Sequence, residues 1–239
     1  MTVEERYAFE TNGYLVRKDA LGDAELKRLN RALDRDFGER PDSFYSRSEG
    51  TWQSVRVMEQ ETDFDDLIRH PNTFDLLRGL MDDDIAFSEL SVIIKGPRSA
   101  THARWHTDVG YQGVPLQQSL LLISCIYYLS DVPEDGACFT VVPGSHKFER
   151  EQPAVDDPDD MPGRVKLSGQ AGTAIIFNAN LWHAAISENA GLDRRTVHVY
   201  YCRPWMKPSG HTQFPLRMLE TADTPFLRKF YHENWGIAK

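Results

Sequence analysis

The chain has 239 residues, of which 41% are hydrophobic and 26% charged, the balance of an ordinary globular protein. A net charge of −9 argues against nucleic acid or an anionic membrane as the main partner, since both reward clustered Lys and Arg. The length suits a single domain, and at this size roughly 70% of the unfolded chain's surface can be buried, so a core needs neither disulfide nor structural metal.

The N-terminus carries charge within its first five residues, at Glu4 and Glu5, and no signal-like apolar stretch follows, which is the expectation for a cytoplasmic protein. Gly13-Tyr14-Leu15-Val16 reads as a short strand. Leu26, Leu29, Leu33 and Phe37 then recur at spacings of three, four and four, an apolar helical face with Asp23 as its N-cap. Phe74, Leu76, Leu77 and Leu80 predict a second helix after Pro71-Asn72, so the first third reads as largely helical. From about Ile85 the texture changes. Ser91–Ile94, Leu120–Leu129, Phe139–Val142, Thr173–Phe177 and Thr196–Tyr201 read as strands punctuated by Gly and Pro. Helices first and strands later indicate an α+β protein, a sandwich, jelly roll or barrel with helices packed against it. The longest apolar run, Leu120–Leu129, is too short to span a bilayer. Cys125, Cys138 and Cys202 are odd in number, lack CxxC spacing and sit in apolar runs, which fits a reducing compartment.

The segment that carries chemistry is Trp105-His106-Thr107-Asp108. Residues i and i+2 of an extended segment face the same side, so His106 and Asp108 can aim an imidazole and a carboxylate at one point. His183, just beyond the strand ending at Phe177, is the best third donor. Two His and one carboxylate leave three positions of an octahedral ion open, the arrangement of non-haem iron(II) oxygenases. Arg194 and Thr196 follow on the last strand. A guanidinium grips a carboxylate through two parallel hydrogen bonds, and a hydroxyl two residues along faces the same way. That pair suits the far carboxylate of 2-oxoglutarate. Arg195, on the opposite face, is the rival to Arg194.

In order, the chain shows Gly-Tyr-Leu-Val near residue 14, Ile94-Lys95-Gly96-Pro97, Trp105-His106-Thr107-Asp108, and Gly136 before Pro143-Gly144-Ser145-His146-Lys147. Last comes the block from Gly172 through His183 to Asn189 and Arg194. Together these resemble the phytanoyl-CoA dioxygenase family of 2-oxoglutarate-dependent oxygenases. The resemblance implies a double-stranded β-helix, or jelly roll. One domain over 1–239 would then comprise a helical cover over about 1–84, a jelly-roll core over about 85–205 and a C-terminal extension over 206–239. It also implies Fe(II) held by His106, Asp108 and His183, 2-oxoglutarate and O2 as co-substrates, Arg194 with Thr196 on the 5-carboxylate, and Lys95 near the co-substrate. The expected substrate is a small organic molecule. Hydroxylation is the default outcome, and epimerisation, cyclisation or desaturation are the diversions seen among tailoring enzymes of bacterial secondary metabolism. The intact Asp108 argues against halogenation, where a small residue replaces the carboxylate. No cluster of Lys and Arg offers a site for the phosphates of an acyl-CoA.

Tyr111, Gln112 and Trp182 flank the ligands and are candidate substrate contacts; Trp105 and Trp52 are further candidates, and all read equally as core. His102 and His106 are four apart, but Ala103 stands where a zinc helix needs its Glu. His146 follows a Pro-Gly turn and reads as structural. His198 shares a strand face with Arg194 and Thr196 and either lines the pocket or sits in the core. His70, His211 and His232 have no sequence partners. The acidic stretch Pro153–Pro162 reads as a surface loop, with a lid as the alternative. A cupin-like binding protein without catalysis is the competing class.

Overall fold

The computed structural model describes residues 1–96, 103–109, 119–148, 152–187, 193–209 and 214–233. In chain order its elements are α1 (Val3–Asn12), β1 (Tyr14–Arg17), α2 (Asp23–Glu39), β2 (Tyr45–Ser48), β3 (Thr51–Ser54), α3 (Pro71–Leu80), β4 (Ala86–Lys95) and β5 (Ala103–His106). There follow β6 (Leu122–Tyr128), β7 (Ala137–Val141), β8 (Val165–Leu167), β9 (Ala174–Asn178), β10 (His183–Ser187), β11 (Arg194–Cys202), α4 (Leu216–Glu220) and α5 (Pro225–Phe230). A seven-stranded sheet has the order β1-β9-β6-β11-β4-β3-β2, and a four-stranded sheet the order β5-β10-β7-β8. All the paired strands are antiparallel. The two sheets enclose Ile126, Tyr128, Phe139, Val141, Ile175 and Phe177, which makes the expected jelly roll.

Side-chain alternation explains the layers. On β6 and β9, Cys125, Tyr127, Ala174 and Ile176 point to the helical side, while Ile126, Tyr128, Ile175 and Phe177 point between the sheets. Both faces are covered, so these strands read as unbroken apolar runs. On β11 the two faces differ. Val197, Val199 and Tyr201 join the helix-side core, and Arg194, His198 and Tyr200 line a cavity. The helix side is closed by Leu29 and Leu33 of α2 and Leu76, Leu77 and Leu80 of α3. β4 follows the same rule until Ser88. There the pairing with β11 shifts, from Tyr200 opposite Glu89 to Tyr201 opposite Phe87, and this bulge returns Phe87 to the helix-side core.

Three details differ from the sequence reading. The stretch 1–84 is not only helical cover: β1, β2 and β3 belong to the large sheet. The β2–β3 hairpin escaped notice because Tyr45, Ser46 and Arg47 are exposed, so it lacks an apolar stripe; its turn holds Gly50 at φ 70°. α1 was also missed. It buries only Phe9, yet Thr2 and Glu5 form a reciprocal capping box that the sequence displays. α2 is capped at Gly22 rather than Asp23, with the Gly22 N–H donating to Glu25 Oε2 at 2.8 Å. No helix among the described residues is long and apolar enough to cross a membrane.

Candidate active site

Strand register brings the two histidines together. His106 ends β5, His183 begins β10, and they are direct partners across the pair. Their ring centroids lie 4.2 Å apart. Asp108 follows β5, anchored by its own N–H, which donates to the Ala179 carbonyl at 2.8 Å. Its Oδ1 lies 3.4 Å from His183 Nε2 and 3.8 Å from His106 Nε2. One donor atom from each of the three residues falls within 4.8 Å of the others.

The donor set fits a divalent ion of the iron type. Nδ1 of His106 lies 2.7 Å from the Arg104 carbonyl and Nδ1 of His183 lies 2.8 Å from the Leu181 carbonyl. Each Nδ1 thereby carries the proton of the neutral ring, and each Nε2, the nitrogen a metal would take, is turned towards Asp108. Asp108 Oδ2 is buried without a hydrogen-bond partner among the described residues. An ion bonded at about 2.1 Å requires adjacent donors about 3 Å apart, so a small contraction of this cluster suffices. Burial and the neighbouring His183 push His106 down to about 4, leaving its Nε2 without a proton at neutral pH. For His183, burial opposes protonation, but the charge and hydrogen bond of Asp108 outweigh it and raise the pKa.

These groups line a cavity of about 430 Å³, whose opposite wall is the inner face of β4 and β11. Lys95 and Arg194 stand directly across from each other on those strands, 4% and 6% exposed. Burial, then the nearby Arg194 and Arg47, pushes Lys95 down to about 8. The Arg194 guanidinium lies 6.0 Å from the centroid of the Tyr128 ring. Its Nε is buried without a hydrogen-bond partner, and among the described residues it forms no ion pair. Two adjacent buried cations in a cavity wall make a strong electrostatic draw for a carboxylate. Arg195 faces the other way, paired with Asp34 of α2 at 2.7 Å.

The remaining sequence candidates are distributed as follows. Thr196 is fully buried, with Oγ1 3.0 Å from His198 Nε2, and its hydroxyl serves that histidine rather than the cavity lining. His198 lines the cavity, and burial followed by the charge of Arg194 pushes it down to about 3. Trp182 does not line the cavity. With Trp105, Val142 and Met161 it forms a separate apolar cluster, because position 182 faces away from its neighbour His183 on the strand. Trp105 Nε1 donates to the Pro158 carbonyl at 2.9 Å, so the acidic stretch packs over that cluster and not over the cavity. Trp52 packs against Phe37. His146 sits beneath Gly13, whose Cβ would come 2.5 Å from its Nδ1. His70 caps α3 and contacts Glu25 at 2.9 Å, and His232 Nε2 lies 2.9 Å from the Phe87 carbonyl. Tyr111, Gln112, His102 and His211 lie outside the described residues.

Sequence reasoning missed Tyr45, Arg47, Gln53, Glu89 and Tyr200, all of which line the cavity. Tyr200 was accessible by continuing the i+2 series Arg194, Thr196, His198. Glu89 had a signal too, as a lone charge inside the apolar run of β4.

The family model for phytanoyl-CoA dioxygenase (PhyH) matches residues 9–197. Among curated proteins, L-proline trans-4-hydroxylase of Streptomyces griseoviridis is 23% identical, over 93% of this chain and 94% of that protein. Dioxygenase af480 of Aspergillus fumigatus is 26% identical over 65% of this chain, which spans about half (50%) of the fungal protein's length. Among solved structures, HygX from Streptomyces hygroscopicus, with nickel and 2-oxoglutarate bound, superposes with a TM-score of 0.75 at 18% identity, covering 95% of this chain and 94% of that one. The carbocyclase SnoK from nogalamycin biosynthesis superposes with a TM-score of 0.70 at 19% identity, covering 85% of each chain. The sequence match over most of its length, on a jelly roll of the same kind, shows that the chain belongs to the phytanoyl-CoA dioxygenase family of Fe(II)/2-oxoglutarate-dependent oxygenases.

Proposed function

We propose that this chain oxidises an aliphatic C–H bond of a small organic molecule, using Fe(II) on His106, Asp108 and His183 and 2-oxoglutarate anchored by Arg194 and Lys95. One observation carries the reading: the three-donor cluster and the paired buried cations share a single cavity, on opposite walls. When bound, the iron and keto acid supply the oxidising power, activating O2 towards hydrogen abstraction. The protein does the rest. Arg194 and Lys95 neutralise and orient the far carboxylate, which fixes where the keto-acid end lies. The Arg104 and Leu181 carbonyls hold the imidazoles in their ligating tautomer. Phe139 and Phe177, whose ring centroids lie 5.2 and 5.1 Å from that of His183, shield the centre from water.

Hydroxylation is the default reaction, supported by the likeness to L-proline trans-4-hydroxylase. A second reading is epimerisation or ring closure, favoured by the fold shared with the epimerase SnoN and the carbocyclase SnoK, both from nogalamycin biosynthesis. Those likenesses also support a tailoring step in secondary metabolism. The net charge of −9 supports a small-molecule partner rather than nucleic acid or an anionic membrane.

The test is an anaerobic titration of metal-free protein with Fe(II) and 2-oxoglutarate, followed by visible spectroscopy. A weak absorption band should appear that neither protein, iron nor keto acid gives alone, and it should vanish in His106→Ala and Arg194→Ala. Iron binding without the band would refute 2-oxoglutarate as co-substrate, and absence of iron binding would favour a non-catalytic scaffold.

A further inference from the structure

Among the described residues, the buried acids are matched to cations, with one exception. Glu61 pairs with Arg35 and Arg40, and Asp36 pairs with Arg40. Asp108 lies between two histidines. Glu89 is only 9% exposed and lines the cavity, yet among the described residues its carboxylate has no hydrogen bond and no ion pair. Its oxygens are not among the fully buried polar atoms, so the carboxylate faces the open cavity, where none of the described cations pairs with it. Arg47 lines the same cavity and its charge reaches Lys95, Tyr45 and Tyr200, but it is exposed and forms no ion pair with Glu89.

The strand register places Glu89 relative to the other charges. Lys95 and Arg194 are one cross-strand pair, and Glu89 and Tyr200 are another, six residues further along. At about 3.3 Å per residue, the acidic end lies roughly 20 Å from the cationic end. His198 falls between them, two residues from Tyr200 and four from Arg194, and its electrostatic partners include Asp108 and His183 of the metal cluster. The cavity therefore has a carboxylate-binding end, a metal-facing middle and an acidic end. Tyr200 lies directly opposite Glu89, and Tyr45 lines the same cavity, where besides its burial it feels the charge of Arg47 and then that of Glu89. Burial first, and then the charges of Asp108 and Glu89, keep the Tyr200 phenol protonated as a donor.

We propose that Glu89 is the substrate-recognition residue for a protonated amine, so that the substrate class is a small aliphatic amine bound with its ammonium group at the end of the cavity opposite 2-oxoglutarate. Resting on the oxygenase reading above, this geometry sets the oxidised carbon a fixed distance from the amine. Tyr200 and Tyr45 supply aromatic wall beside the ammonium, where a cation over a ring is favourable.

The test uses hexylammonium, 1-hexanol and hexanoate as probes, titrated by calorimetry into protein loaded with Ni(II) and 2-oxoglutarate. Hexylammonium should bind roughly tenfold tighter than either of the others, the factor expected for a charge-assisted bond against a neutral one. Glu89→Gln, which keeps the shape of the side chain, should abolish that preference and leave the 2-oxoglutarate isotherm unchanged. Equal or tighter binding of hexanol or hexanoate, absence of hexylammonium binding, or a preference that survives Glu89→Gln would overturn the proposal. The wild-type comparison stands even where the variant folds poorly. The same titrations without metal and keto acid separate the two readings. An amine preference that persists while 2-oxoglutarate fails to bind supports the Glu89 site and counts against the oxygenase reading alone.

Discussion

Arg194→Met isolates the proposed co-substrate anchor. The guanidinium is buried, stands across from Lys95 and has no ion pair among the described residues, so in the free protein it is a cost that only a ligand offsets. Methionine keeps most of the stem and removes the charge. Two charge-assisted hydrogen bonds to a carboxylate contribute about 1.5–3 kcal/mol each, and truncating one side of a buried charge pair costs about 2–5 kcal/mol. We take about 3–4 kcal/mol, a roughly 10²- to 10³-fold loss of 2-oxoglutarate affinity. Calorimetry with Ni(II) in place of iron, under nitrogen, reads this without turnover. The free variant should melt no lower than wild type, because replacing an uncompensated buried charge by an apolar group is neutral or stabilising. Arg195→Ala is the control. It removes a pair with Asp34 that is 24% and 60% exposed, costs under about 1 kcal/mol, and should leave 2-oxoglutarate binding alone. A loss below about threefold in Arg194→Met, or an equal loss in Arg195→Ala, would refute the reasoning.

Other expectations follow from the same groups. Lys95 is pushed down to about 8 in the free protein, and a bound carboxylate raises it again, so 2-oxoglutarate binding should take up a proton near and above that pH. Affinity should therefore fall as pH rises past about 8; calorimetry in buffers of different ionisation enthalpy measures the uptake, and Lys95→Met should flatten the profile. Asp108 holds His183 above the usual histidine value, so metal binding must displace that proton and should weaken by about tenfold per pH unit below the raised pKa. Asp108→Ala should lower Ni(II) affinity by roughly 10²-fold or more and move the His183 titration down, visible by NMR. Away from the cavity, Tyr127→Phe breaks a buried contact to Thr73 Oγ1 at 2.6 Å. It should cost about 1–2 kcal/mol and lower Tm by roughly 2–8 °C with 2-oxoglutarate affinity unchanged.

The metal cluster, and the fact that only one of Arg194 and Arg195 can face the cavity, were legible because both rest on the two-residue period of a strand. His106 and Asp108 share a side, and Arg194 and Arg195 cannot. The apolar strands were legible for the opposite reason: burial on both faces leaves unbroken runs. Trp182 shows the limit. Adjacency to a ligand in sequence means the opposite side of the sheet, and the same period that selects His183 turns Trp182 outwards. The β2–β3 wall was illegible because its polar side chains face the cavity and solvent, so no hydrophobic signal marks it. Thr196 was correctly placed on the inner face, but sequence could not show that His198 would engage its hydroxyl.

The bulge at Ser88 has a consequence for how such an enzyme can diversify. From Lys95 to Glu89 the β4–β11 ladder is continuous, and sliding it by one position would send Arg194 and His198 into the helical layer and Val197 and Val199 into the cavity. That stretch admits no insertion. Immediately beyond Glu89 the ladder has already absorbed an extra residue. Changes of length there are tolerated locally and do not propagate to the cofactor end. An ancestral chain could thus exchange one substrate for another by editing the strand past its bulge, while the oxidising machinery was inherited intact.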